Sequence, residues 1–234
     1  DSTEDFALDG GVPKADMDNA DERYDPLGDE VEFLQELIAL DRESRVAGYV
    51  FNNATYNPGL RETLAGTSQF SDYVNSSPIK KIRTALDMPL VRPNQMTFGQ
   101  EGWTSFSSHP EIVEAVLGTA AKKGIVSREA VANLFEVKEV LVGAARANSV
   151  KRGQAPALTR LWGKHLALTH KAKVPQAKGA LQFLASFEFG DRIGAQWEDK
   201  NMGMRGGTAC RTGESLRERI VAADAGYFFQ NAFG

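Results

Sequence analysis

Three histidines, one cysteine and a set of glycine-rich turns are the residues of this chain that could carry chemistry. His109 follows Ser107 and Ser108 and precedes Pro110. A hydroxyl beside an imidazole is the grouping used for nucleophilic attack, but sequence neighbours rarely reach the geometry a Ser–His pair needs. The run reads instead as a helix start, which a ring nitrogen or backbone group of His109 can help. His165 and His170 are five apart on a predicted strand, so they face opposite ways and do not converge on a metal. Cys210 has Arg211 beside it, which could lower its pKa, yet a lone strand cysteine reads as inert. With a single cysteine, an internal disulfide and a thiolate metal cluster are both excluded.

The remaining chemical signatures fail in the same way. H-E-x-x-H, G-x-S-x-G, C-x-x-C and the phosphate-loop pattern are absent from the sequence. Gly203, Gly206 and Gly207 precede a strand rather than a helix N-terminus. Lys171, Lys173 and Lys178 form a small basic loop without interleaved aromatics, short of a nucleic-acid platform. Catalytic, cofactor-binding and metal residues are therefore all expected to be none.

The elements that would position any site are organised around one stretch, Asp25–Phe51. Its pattern predicts a single long helix, capped by Asp25, with Pro26 at the first helical position. Val31, Leu34 and Ile38 line one face, Phe33, Leu37 and Leu40 widen it, and Val46, Ala47 and Val50 carry it onward. Residues 1–24 read as a short strand remnant and an extended acidic linker. Leu64, Phe70 and Tyr73 pin the connection that follows the helix. Helices then start at Ser77-Pro78, His109-Pro110 (stopping at Gly118) and Ser127. Strands are expected at Met96–Phe98, Val137–Ala145, Gly163–Lys171 and Leu181–Phe189, the last half-buried. After Gly203 the pattern predicts strand, tight turn at Gly213, strand, and a final apolar strand Gly226–Phe229. Helices and strands mix without a repeated βαβ unit, so the class is α+β.

The chain has 234 residues and a net charge of −4. Its charge is uneven: residues 1–41 hold 14 acidic and 2 basic side chains, while residues 42–234 hold 17 and 25. The acidic portion is either a solvated arm or a segment that docks on a basic surface. No apolar run is long enough to span a bilayer, and no signal-peptide pattern is present.

Several stretches, in order, resemble the major capsid proteins of tailed bacteriophages and prophages, those of the Hong Kong 97 type. They are YDPLGDEVEFLQELIALDRESRVAGYVFN, LAGTSQFSDYVNSSPIKKI, LVRPNQMTFGQEGWTSFSSHPEIVEAV, LFEVKEVLVGAARANSVKRGQ, LTRLWGKHLALTH and RGGTACRTGESLRERIVAADAGYFFQNAF. The similarity covers roughly residues 20–234, and the ordered set RPN, WxxFxxHPxIV, LVG and LWGK carries most of its specificity. The resemblance implies a peripheral (P) domain from residues 25–66 and 181–217, with 25–51 as its spine helix. It implies an axial (A) domain from residues 67–180 and 218–234. Subunits of this kind form hexamers and pentamers of an icosahedral shell around double-stranded DNA, with portal, scaffold or decoration proteins as further partners. The implied location is the virion, assembled in the bacterial host cytoplasm, with no cofactor and no membrane.

The family has an N-terminal arm and an extended hairpin, the E-loop, before the spine helix. Residues 1–24 are read as the returning strand and linker of that hairpin, so the chain is expected to be a fragment or a trimmed product. Three other readings stay open at this level. One is an encapsulin-type compartment shell of the same fold; another is an enzyme built on His109, Trp103 and Arg92. The third, a DNA-binding module, is disfavoured by the net charge.

Overall fold

Pro26–Val50 form one helix of 25 residues, roughly 38 Å long at ~1.5 Å per residue. Asp25 starts it: the Leu27 N–H donates to Asp25 Oδ1 at 3.2 Å, and the Asp29 N–H to the Asp25 carbonyl at 3.1 Å. The computed structural model describes residues 2–118, 124–148, 150–151, 153–174 and 180–234. In chain order its elements are β1 (Glu4–Pro13), α1 (Lys14–Asp18), α2 (Pro26–Val50), β2 (Arg61–Thr63), α3 (Pro78–Asp87) and β3 (Gln95–Gly99). Then come α4 (Gln100–Ser107), α5 (Pro110–Leu117), α6 (Arg128–Phe135), β4 (Glu139–Gly143), β5 (Arg146–Asn148) and β6 (Leu158–Arg160). The chain ends with β7 (Leu166–Thr169), β8 (Leu184–Glu188), β9 (Ile193–Asp199), β10 (Gly207–Ile220) and β11 (Gly226–Gln230). It clusters into two compact units, Asp1–Arg45 with Ser186–Arg219, and Val46–Ala185 with Ile220–Gly234.

The first unit is α2 on an antiparallel sheet. The 14-residue β10 pairs along its length with β1, from Glu4↔Leu216 to Pro13↔Gly207. Its first half pairs on the other side with β9, from Gly207↔Asp199 to Gly213↔Ile193. Farther along, the Phe189 N–H donates to the Ser215 carbonyl. Four residue steps from Phe189 to Ile193 therefore face two steps from Ser215 to Gly213, so β8 and β9 are separated by a bulge. Gly190, at φ 73°, lies in that bulge. The helix-facing side of the sheet is identified by Gly10, where an added Cβ would meet Leu34 Cδ1 at 3.0 Å. Cys210, opposite Gly10, is fully buried there.

The second unit is a five-stranded mixed sheet in the order β2-β11-β7-β3-β4, covered on both faces. Alternation along β11 divides the core. Tyr227 and Phe229 join Phe70, Phe98, Phe106, Phe135 and Phe233 on one side. Phe228 joins Ala47, Val50, Tyr56, Trp162 and Phe183 on the other. Tyr56 stacks between Phe183 and Phe228, with ring centroids at 4.7 and 5.1 Å. Its hydroxyl donates to the Val50 carbonyl at 2.8 Å, satisfying one of the helix-terminal carbonyls.

Several sequence expectations need correction. Gly213 is not a turn but the middle of β10, where a Cβ would lie 2.9 Å from both Ala7 Cβ and the Phe6 carbonyl oxygen. Only glycine lets the two strands approach so closely. The reversal lies earlier, through Gly203 and Gly206, at φ 66° and 73°. Phe33 and Leu37 do not widen the buried face of α2, and Phe33 is 54% exposed. Residues 4–13 form a ten-residue strand rather than a short one, and 14–18 are helical rather than extended. Gln100–Ser107, unassigned from sequence, is a helix whose Trp103 and Phe106 are buried. The alternation of Leu181–Phe189 buries Phe183, but Phe187 and Phe189 are exposed.

Candidate assembly surfaces

The three histidines are each already engaged. His109 Nδ1 accepts from the Glu111 N–H at 3.2 Å, capping α5, and its Nε2 lies 3.1 Å from Ser76 Oγ. His165 Nδ1 accepts from the Asn231 N–H at 2.9 Å, while His170 Nδ1 lies 3.0 Å from the Arg92 carbonyl oxygen. β7 covers only Leu166–Thr169, so both of these histidines sit just outside the strand expected to carry them. Burial pushes the pKa of His109 and of His165 below the usual histidine value. Burial, followed by the nearby Glu30 carboxylate, pushes the Cys210 thiol up, the opposite of an activated nucleophile.

The enzyme constellation has no common site among these contacts. Trp103 packs on Phe98 and Phe106. Arg92 pairs with Asp87 at 3.5 Å and Glu136 at 3.6 Å. Ser107 and Ser108 bond to backbone carbonyls of α4 rather than to the His109 ring. Among the described residues no group of three or more His, Cys, Asp or Glu could hold a metal. Lys178 of the basic loop lies outside the described residues.

What the first unit does present is a pair of contrasting surfaces. Outward on α2, Phe33 and Leu37 sit among exposed Asp29, Glu32 and Glu36. Asp41 is instead ion-paired with Arg45 one turn on. Arg45 also makes a two-pronged bond to Glu218, at 3.2 and 3.1 Å, and lies over the Phe6 ring at 3.7 Å. Glu218 is 3% exposed, so this pair fastens the helix to β10 and β1 from within.

On the sheet face away from α2, Asp9 and Arg211 lie directly opposite and bond at 2.5 and 2.7 Å. The Arg211 guanidinium holds the Asp9 carboxyl below the usual carboxylate range and covers the Trp197 ring at 5.6 Å. Glu188 reaches Arg42 on the helix side, so Phe187 and Phe189 point the other way. With Ile193 and Trp197 they make a row of exposed apolar side chains, Phe189 being 75% exposed. Exposed apolar rows of this kind are typical of interaction surfaces. Neither composition nor periodicity reveals it, because the same alternation describes a half-buried strand.

The second unit has a groove of about 620 Å³ lined by Ser76, Ser77, Lys80, Lys81, Thr84 and Tyr227. It is hydroxyl-rich and basic, although Lys81 is tied to Glu62 at 2.8 Å. No helix of the described residues is long and apolar enough to cross a membrane.

Comparison with known proteins sharpens this picture of packed cores and open surfaces. No protein-family model matches the chain. It is 41% identical over 231 residues to the major capsid protein of Pseudomonas phage JBD67, covering 99% of this chain and 74% of that protein. Its fold matches a phage-related protein of Bordetella bronchiseptica RB50 at a TM-score of 0.80 and 20% identity, covering 98% of this chain and 75% of the other. It also matches the capsid of cyanophage P-SCSP1u at a TM-score of 0.62 and 11% identity, covering 98% and 72%. The likeness at these lower identities is one of fold, the α+β Hong Kong 97 type capsid fold expected from sequence. With identity of this level spread over nearly all of its length, the chain belongs to the phage major capsid protein family.

Proposed function

We propose that this protein is a shell subunit: copies associate into hexameric and pentameric capsomers that tile an icosahedral capsid around double-stranded DNA. The observation that carries the reading is the 41% identity to a phage major capsid protein over 99% of the chain. The exposed apolar row on β8 and β9 supports it, since such surface needs a neighbour to cover it. Permanent assemblies bury more than ~2,000 Å² per contact set, supplied by several surfaces at once.

In this reading the first compact unit is the peripheral domain, with α2 as its spine, and the second is the axial domain near capsomer centres. Residues 46–66 and 181–185, assigned to the peripheral domain from sequence, cluster with the second unit, and 218–219, assigned to the axial domain, with the first. The protein is a structural component of the virion without catalytic, cofactor-binding or metal residues. It is assembled in the host cytoplasm and meets portal, scaffold or decoration proteins there. The carboxylates Asp29, Glu32 and Glu36 face packaged DNA and keep the inner wall from adhering to phosphate within a Debye length of ~8 Å.

Electron microscopy and analytical ultracentrifugation of the purified chain test this, over a range of concentration and salt. Small rings that weaken as salt rises are expected. A protein that stays monomeric at every concentration and salt level argues against the assembly reading.

A further inference from the structure

We propose that His109 is an acid-sensitive latch that pins the surface loop Asp72–Ser77 to the start of α5 in the second unit. Its tautomer is set by its partners. Nδ1 accepts from the Glu111 N–H, so the proton sits on Nε2, directed at the Ser76 hydroxyl oxygen. Ser76 Oγ donates onward to the Asp72 carbonyl at 2.5 Å. The ring is 1% exposed, with Tyr73 edge-on at 5.2 Å. A second proton turns Nδ1 from acceptor into donor. It then confronts the Glu111 N–H, leaving the cap of α5 broken and a charge buried.

The groups that face this ring decide whether the proton is opposed. Glu111 follows it on α5, and its Oε1 accepts from Ser77 Oγ at 3.2 Å. Asp72 favours the charged ring first through its backbone carbonyl and then through its carboxylate, which is already bonded to the Val74 and Asn75 amides and the Asn75 side chain. Tyr73 directs its hydroxyl to the Ser105 carbonyl. Burial outweighs the pull of Asp72, so the folded ring holds its second proton less well than the unfolded one. Latch stability is therefore fully present above about pH 6.5, the unfolded value, and is lost as pH falls from there through the lowered folded value. Opening has a local consequence: Asn75, Ser76 and Ser77 line the groove that holds Lys80 and Lys81. Acid thus reshapes a basic, hydroxyl-rich surface of the subunit.

Hydrogen exchange read by mass spectrometry on the full chain tests the latch, with amide protection and imidazole C2 exchange followed from pH 7.5 to 5. Protection of 72–77 and of the first turn of α5, corrected for intrinsic exchange, should fall by up to about tenfold per pH unit below pH 6.5. His109→Asn keeps a side-chain acceptor that does not titrate, and its protection in these segments should be independent of pH. If that variant fails to fold, the wild-type imidazole titration decides. A midpoint clearly below ~6.5 that tracks the loss of protection supports the latch. A midpoint at or above that value, or protection in 72–77 unchanged by acid, overturns it.

Discussion

Replacing Glu218 by alanine should loosen the first unit more than any other single charge removal on α2 or β10. Glu218 is 3% exposed and receives both prongs of the Arg45 guanidinium at 3.1 and 3.2 Å. Removing one partner of a buried pair typically costs about 3–5 kcal/mol, because the other charge stays behind unpaired. Here the Arg45 side chain is 21% exposed and keeps Asp41, which lowers the expected loss to about 2–3 kcal/mol. For a chain of this size that corresponds to a fall in Tm of about 4–12 °C. The assay is thermal and urea unfolding, with hydrogen exchange to assign the loss to β10 and α2, since two units need not unfold together. Arg45→Met combined with Glu218→Leu should recover most of the loss, because no charge remains buried. A Glu218→Ala cost below ~0.5 kcal/mol, or a double variant no better than the single one, would show that the pair does not fasten the helix.

Three further outcomes follow from the same geometry. Gly213→Val should destabilise the β1–β10 pairing by about 1–3 kcal/mol through overpacking against Ala7 and Phe6, seen as faster amide exchange in β1. Asp29, Glu32 and Glu36 changed together to Lys should make the protein retain duplex DNA with a steep salt dependence, whereas the parent should not; equal retention by both would refute the repulsive role of that face. Acid should act on the edge strand through Asp9, whose folded pKa is lowered by Arg211. The stabilisation from that pair is present above the ordinary carboxylate pKa and is lost as pH falls through the lowered folded value. Protection of β1 amides should therefore decline in that acidic window, and Asp9→Asn should remove the decline.

The encapsulin reading and the constellation of His109, Trp103 and Arg92 lose their footing for different reasons. The first is weakened by sequence, because 41% identity points to a phage capsid protein. Against the second stand the bonds themselves: His109, Trp103 and Arg92 each have separate partners, and the His109 nitrogen that a base would offer is occupied by a backbone amide.

Sequence alone determined the features whose causes are local. Asp25-Pro26 marked the start of α2, and Ser127 marked α6 by accepting from the Ala130 N–H, because a cap needs only its next few residues. Gly118, at φ 90°, ended α5 where a stop was expected. The family was legible from ordered segments for the same reason, being a property of residue order rather than of contacts. Tertiary structure decided everything that depends on approach between distant segments. Gly213 could serve a turn or a close strand crossing, and only the register against Ala7 chose the second. Phe33 and Phe189 carry the same apolar signal as Leu34 and Phe183, yet are exposed because none of the described residues covers them. Cys210 and Glu218, 8 residues apart on β10, are buried against α2 only because one long strand lies beneath the helix. Periodicity shows which residues are apolar; which of them are covered is settled by the partner that arrives.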